Sequence, residues 1–285
     1  ERLLGCLAAL GEAWPDDLNV INRLVAERDP DVSATDVSGW IDRLIADGIL
    51  AKVGRALRFG SDIEGDLLLF ELTRDKAALL EELVEHFGDH PGFQRQLAML
   101  ARGESTTASE IARRLVAQRF EGAFAATGAL DVSACLRGVE GLAAALPEVT
   151  LSEVDRLVQT EPTGASWVRE RLQSQLIRIV QGAVQGGGPA VIDEALSILA
   201  RPYFTPVKSH QDPAARAVAD WVNPYERGVA IPRALLGWAT SVSRRGPLSP
   251  GERRLAFALL AAFVSPTVRY TRLRPSSMTV VPYTR

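Results

Sequence analysis

The amino-acid sequence predicts a mainly α protein: a winged helix-turn-helix, then an irregular, solenoid-like array of α-helical hairpins, then a small C-terminal β-hairpin. Three observations predict it. Apolar residues recur at three- and four-residue steps along most of the chain, which is the mark of helices burying one stripe. A short alternating ribbon, "ILAKVGRALRFG" at 49–60, follows two such helices directly. Near the end, two runs rich in Val, Thr and Tyr, 267–273 and 278–284, flank the turn "RPSS".

The elements follow in order. Leu3 to Leu10 supply a first helix, and a second runs from about Asp16 to Arg28, where Pro30 breaks it. Ser33 caps a third, with Asp36 closing the capping box. That helix carries Val37, Trp40, Ile41, Leu44 and Ile45 on one stripe and stops at Asp47-Gly48. Gly54-Arg55 then makes a two-residue hairpin turn. Helix, helix and ribbon are the closing parts of a winged helix, assigned to residues 1–72. Further helix starts are expected at Thr107 with Glu110, at Thr150 with Glu153, and at Ser249-Pro250 with Glu252. Gly48, Gly88 and Gly103 mark helix ends. Residues 73–264 therefore form the helical array, with "QGGGP" at 185–189 as its internal hinge, and 265–285 form the terminal hairpin. Pro282 confines its strand to an edge.

Composition narrows the function classes. The chain has 285 residues, 47% hydrophobic and 24% charged, which suffices for a buried core. A net charge of -3 gives no global attraction to nucleic acid or to an anionic membrane. No apolar run reaches the ~18 residues that span a bilayer, so no membrane partner is expected. Cys6 and Cys135 are too few and too far apart for a disulfide framework and fit a reducing, cytoplasmic setting. The chain opens on Glu1 and reads as a piece of a longer protein.

No catalytic constellation stands out, and neither enzyme activity nor a cofactor is expected. There is no G-x-x-x-x-G-K-[ST]; "QGGGP" lacks the lysine and follows a helical run. His86 and His90 have a metal-like spacing, but Gly88 and Pro91 break the helix that would align them. His210 is a lone loop histidine. Asp62, Glu64 and Asp66 could hold Mg²⁺ or serve acid–base chemistry; a capped helix start explains them more simply. The five tryptophans read as packing residues. For nucleic acid or an acidic partner, the candidate contacts are Arg43, Arg55 and Arg58 in the first unit and Arg269, Arg272 and Arg274 in the last. Residues 265–285 contain no acid. Residues 33–60, by contrast, carry four cations against three aspartates, few for a phosphate backbone.

The phrase "LRFGSDIEGDLLLFEL" at 57–72 resembles the winged-helix module of bacterial STAND-type P-loop NTPases, in which a wing strand precedes "RF-x-PD-x-x-GD-x-L". Arg58, Phe59, Asp62, Gly65, Asp66 and Leu68 match it, and Ser61 stands where the family commonly has proline. The closing segment "LLAAFVSPTVRYTRLRPSSMTVVPYTR" is similar to the end of some such proteins. The resemblance implies a non-catalytic regulatory and sensor portion, often of an antiphage-defence protein. Its winged helix would dock an ATPase core lying outside this chain, and its helical array would recognise a protein or mediate oligomerisation. It also implies a nucleotide-sensing place just after the wing, which Asp62 occupies. The alternative expectation is a winged-helix DNA-binding regulator with a helical ligand or dimerisation domain.

Overall fold

The computed structural model describes residues 2–74, 77–103, 105–160, 162, 165–206, 212–222 and 230–264; the side chains of residues 62, 74 and 77 also lie outside the description. Among the described residues the protein is mainly helical, with one small three-stranded antiparallel sheet.

The first elements are α1 (Arg2–Leu10), β1 (Glu12–Ala13), α2 (Pro15–Arg28), α3 (Ala34–Ala46), β2 (Leu50–Val53) and β3 (Ala56–Phe59). The strand order is β1-β3-β2. Local chemistry sets each boundary. Pro15 takes the first position of α2, where its missing N–H costs nothing, and the Trp14 N–H donates to Asp17 at 2.7 Å. Ser33 and Asp36 cap α3 reciprocally, at 3.2 and 2.9 Å. The Ser33 hydroxyl and N–H hold the Asp36 carboxyl below its usual range. Gly48, at φ 74°, turns the chain out of α3. Gly54, at φ 63°, makes the tight turn between β2 and β3, whose register runs from Leu50 opposite Phe59 to Val53 opposite Ala56. The two-residue β1 was not foreseen: it pairs Glu12 with Arg58 and Ala13 with Leu57.

The remaining helices are α4 (Asp62–Arg74), α5 (Ala77–Phe87), α6 (Pro91–Arg102), α7 (Thr106–Ala125), α8 (Ala129–Cys135), α9 (Val139–Ala143), α10 (Pro147–Gln159), α11 (Ser166–Gly187), α12 (Ile192–Leu199), α13 (Pro213–Asp220), α14 (Ala230–Arg244) and α15 (Pro250–Val264). A 3₁₀ turn at Gly188–Val191 joins α11 to α12, and another at Pro202–Phe204 follows α12. Helix α1 packs on α4 and α6, so the small sheet unit shares its core with the helices that follow. Helix α11 runs through the middle and touches α8, α9, α10, α12 and α13. A contiguous set of buried apolar side chains extends from Leu3 to Leu259.

Two expected helix starts move. α7 is capped by Ser105, whose hydroxyl accepts from the Ala108 N–H at 3.2 Å, and Thr107 lies inside the first turn. α10 begins at Pro147, which leaves Thr150 buried within the helix. In each case an acceptor or a proline two or three residues earlier fixes the start. Ser249 and Glu252 do form their capping box before α15, at 2.8 and 3.2 Å. Segment 185–189 spans the end of α11 and the start of a 3₁₀ turn. Its Gly186 lies so close to the Ala144 carbonyl that a Cβ there would overlap it. The expected terminal hairpin, 265–285, lies outside the described residues.

Candidate interaction groove

Helices α1, α2 and α3 do not close completely on one another. Between them lies a groove of about 520 Å³. Leu3, Val25 and Leu44 supply apolar lining, Trp40 stands at its side, and Arg28 and Arg43 add cationic groups. Trp40 and Leu44 are one turn apart on α3, so helical spacing alone brings both to this face. The stripe predicted for α3 thus divides. Val37 and Ile41 are buried in the core, while Trp40 remains 37% exposed at the groove.

Glu82 of α5 organises the cations. It accepts from Arg2 Nε at 3.0 Å and makes a second, shorter contact with Arg2 Nη2. Arg28 Nη2 stands 3.8 Å from the same carboxylate, with its own side chain 67% exposed. Arg43 has no ion pair among the described residues. Arg2 is therefore neutralised and held, Arg28 is drawn more loosely to the same carboxylate, and Asp29 adds an acid to the lining beside Arg43. Sequence reasoning found Arg43 but not Arg2 or Arg28, because Glu82 is 80 residues from Arg2 and no local pattern links them. Cys6, also on α1, is inert at neutral pH. Burial, then the nearby Glu82 carboxylate, pushes its thiol up to about 12.

The other predicted contacts lie elsewhere. Arg58 sits on β3 between Glu12 of β1 and Ala51 of β2. Cross-strand partners share a face, so an acidic residue neighbours this arginine. Arg55 is in the hairpin turn, and neither it nor Arg58 lines the groove. Asp62 opens α4, with its side chain outside the described residues; Arg269, Arg272, Arg274 and His210 lie outside them entirely. Of the acidic cluster, Asp66 accepts from Gln96 Nε2 at 2.9 Å and so ties α4 to α6. His86 and His90 fall on opposite sides of the break between α5 and α6. His90 Nδ1 accepts from the Gly92 N–H at 3.1 Å, and its Nε2 stands 3.6 Å from Asp17 Oδ2. Among the described residues no group of three or more His, Cys, Asp or Glu could hold a metal ion.

On α4, Ile63 and Leu67 are one turn apart and remain 69% and 59% exposed. No helix among the described residues is long and apolar enough to cross a membrane. Comparison of the chain with family models, with curated proteins and with solved structures finds no match.

Proposed function

We propose that residues 1–72 form a winged-helix domain and that the chain is the non-catalytic regulatory and sensor portion of a STAND-like P-loop NTPase of the antiphage-defence type, working in the cytoplasm. The observation that carries this reading is the element order α1-β1-α2-α3-β2-β3 with sheet order β1-β3-β2, which hands the chain to α4 at the "RFGSDIEGD" phrase. In this reading the nucleotide-hydrolysing core lies on another segment or another chain. The core docks on the first unit, using the groove and the exposed pair Ile63 and Leu67. Exposed apolar side chains one turn apart are the kind of surface that protein partners cover. Asp62 is then the residue nearest the bound nucleotide, and the helical array from α5 onward recognises a protein trigger or a neighbouring protomer. The DNA-regulator alternative for the first unit has less support. Its ribbon arginine Arg58 is paired in register with Glu12, and the exposed side of α3 with its cap sets Asp36, Asp42 and Asp47 against a single cation, Arg43.

The test begins with the complete reading frame. A P-loop core encoded upstream of this segment, or next to it as a separate chain, is expected; its absence removes the proposal. With that core in hand, the double variant Ile63→Asp/Leu67→Asp is expected to weaken its association with the 285-residue chain at least ~10-fold in calorimetric titration. Unchanged affinity would move the docking site elsewhere.

A further inference from the structure

The net charge of -3 hides a strong asymmetry. Residues 230–285 contain nine arginines, no lysine and a single acid, Glu252, a net of 9 − 1 = +8. The preceding 229 residues hold the other 23 basic and 34 acidic residues, a net of 23 − 34 = −11. Charge separated so sharply along one chain points to a polyanion at the basic end.

The structure gives this charge a shape. The outward side of α14 forms an open, shallow surface on which Arg233 stands at one end and Arg244 and Arg245 at the other. Gly237, Thr240 and Ser241, all small, lie between them beside the half-exposed Leu236, so a bulky anion can approach the helix along their side. All three arginines are exposed, and no acid lines the surface. The one carboxylate of the region, Glu252, is held below its usual range chiefly by hydrogen bonds from Ser249 and to a lesser degree by the charge of Arg245, so Arg245 is the least free of the three arginines. Arg233 and Arg244 have no ion pair among the described residues. At 1.5 Å per residue, Arg233 and Arg244 are separated by roughly 17 Å along the helix. That length bridges the B-DNA major groove, about 12 Å wide, and reaches the phosphates on its two rims.

We propose that α14 binds the phosphate backbone of duplex DNA, without base recognition, through Arg233 on one strand and Arg244 and Arg245 on the other. The surface is matched in charge and span to the backbone, with its arginines set apart at the two ends where the groove rims would lie rather than over the base edges. This site is separate from the first unit and does not depend on the NTPase reading.

The experiment is fluorescence anisotropy of a labelled 30-base-pair duplex titrated with the 285-residue chain at 50 and 200 mM NaCl. Wild type is expected to bind, and to bind at least ~10-fold more weakly at the higher salt, as counterion release requires. The triple variant Arg233→Gln/Arg244→Gln/Arg245→Gln keeps the fold, because these side chains are exposed; its far-UV circular dichroism and melting temperature are compared with wild type. It is expected to lose at least ~10-fold in affinity at 50 mM NaCl, with the log–log salt slope reduced by about 2 to 3. The matching variant of the first unit, Arg43→Gln/Arg55→Gln/Arg58→Gln, should change affinity less than ~2-fold. No duplex binding at 50 mM NaCl overturns the proposal. So does a larger loss in the first-unit variant than in the α14 variant. Sedimentation of the chain with phosphatidylserine vesicles in place of duplex binding would make the surface a membrane-facing one instead.

Discussion

Arg254 donates through Nη1 to the main-chain carbonyl of Phe204 at 2.7 Å, across 50 residues of sequence. Its Nη2 donates to the Leu199 carbonyl at 3.0 Å, and Asp212 Oδ2 stands 3.3 Å from Nη1. One guanidinium on α15 therefore holds the end of α12, the 3₁₀ turn after it and the cap of α13. The fork geometry is essential, since two carbonyls and a carboxylate must be reached at once. Burial lowers the Arg254 pKa, and Asp212 opposes that shift. Arg254→Met leaves those acceptors and the Asp212 charge without their donor, so a loss of about 3 kcal/mol is expected. Arg254→Lys keeps the charge but cannot fork, and should fall between. The urea midpoint, at unchanged m-value, measures both; a change under 0.5 kcal/mol in Arg254→Met would show that the clamp is not used.

Alkaline pH should destabilise the protein through two buried groups. Burial pushes the Cys6 thiol from 9.0 up to about 12, and the Tyr203 hydroxyl from 10.0 up to about 12, the latter against a smaller opposing pull from Arg169. Both groups are neutral when protonated, and folding favours that form. Their stabilising contribution is complete below about pH 9 and is lost as pH climbs toward 12. Urea midpoints measured from pH 8 to 11 should fall, and the fall should be shallower in Cys6→Ala. Native Cys6 should also resist alkylation at pH 8 until denaturant is added.

Tyr203 offers a cleaner test of the same region. Its hydroxyl is buried with no hydrogen-bond partner among the described residues, while its carbonyl accepts from Gln173 Nε2 and, at 3.4 Å, from Arg169. Tyr203→Phe removes the unpaired oxygen and keeps the ring beneath Arg169, whose guanidinium carbon lies 5.2 Å from the ring centroid. The variant should equal wild type or gain up to about 1 kcal/mol at pH 7, and its stability should fall less steeply above pH 10. A loss above 1 kcal/mol would mean that the hydroxyl has a partner.

The local elements were legible in the sequence where chemistry is local. The ribbon at 49–60, the Ser33–Asp36 box, the Ser249–Glu252 box and the glycine after α3 all depend on residues within a few positions of one another. What could not be read needs distant partners. β1 is two residues long and exists only because β3 offers an edge. The groove depends on Glu82 meeting Arg2, and on Trp40 lying at the margin between core and solvent. The α14 surface depends on which side of that helix packs inward. There Leu235, Trp238 and Val242 are buried and leave the arginines outside.

Two glycines inside helices should respond in opposite directions to the same substitution. Helix propensity alone favours alanine over glycine by up to about 1 kcal/mol at either place. Gly39, in the middle of α3, has no atom within 4 Å of where a Cβ would stand, so Gly39→Ala should stabilise by about 0.5 to 1 kcal/mol. Gly186, near the end of α11, sits against the Ala144 carbonyl, and a Cβ there cannot be accommodated without moving backbone. A flexible side chain could swing aside at little cost, but a carbonyl held between α9 and α10 cannot. Gly186→Ala should therefore destabilise by about 2 kcal/mol or more despite its better propensity. The pair, read by urea unfolding in parallel, separates packing from propensity. If both variants gain stability, α11 does not pass as close to Ala144 as described. If both lose it, the face of α3 around Gly39 is covered by something beyond the described residues.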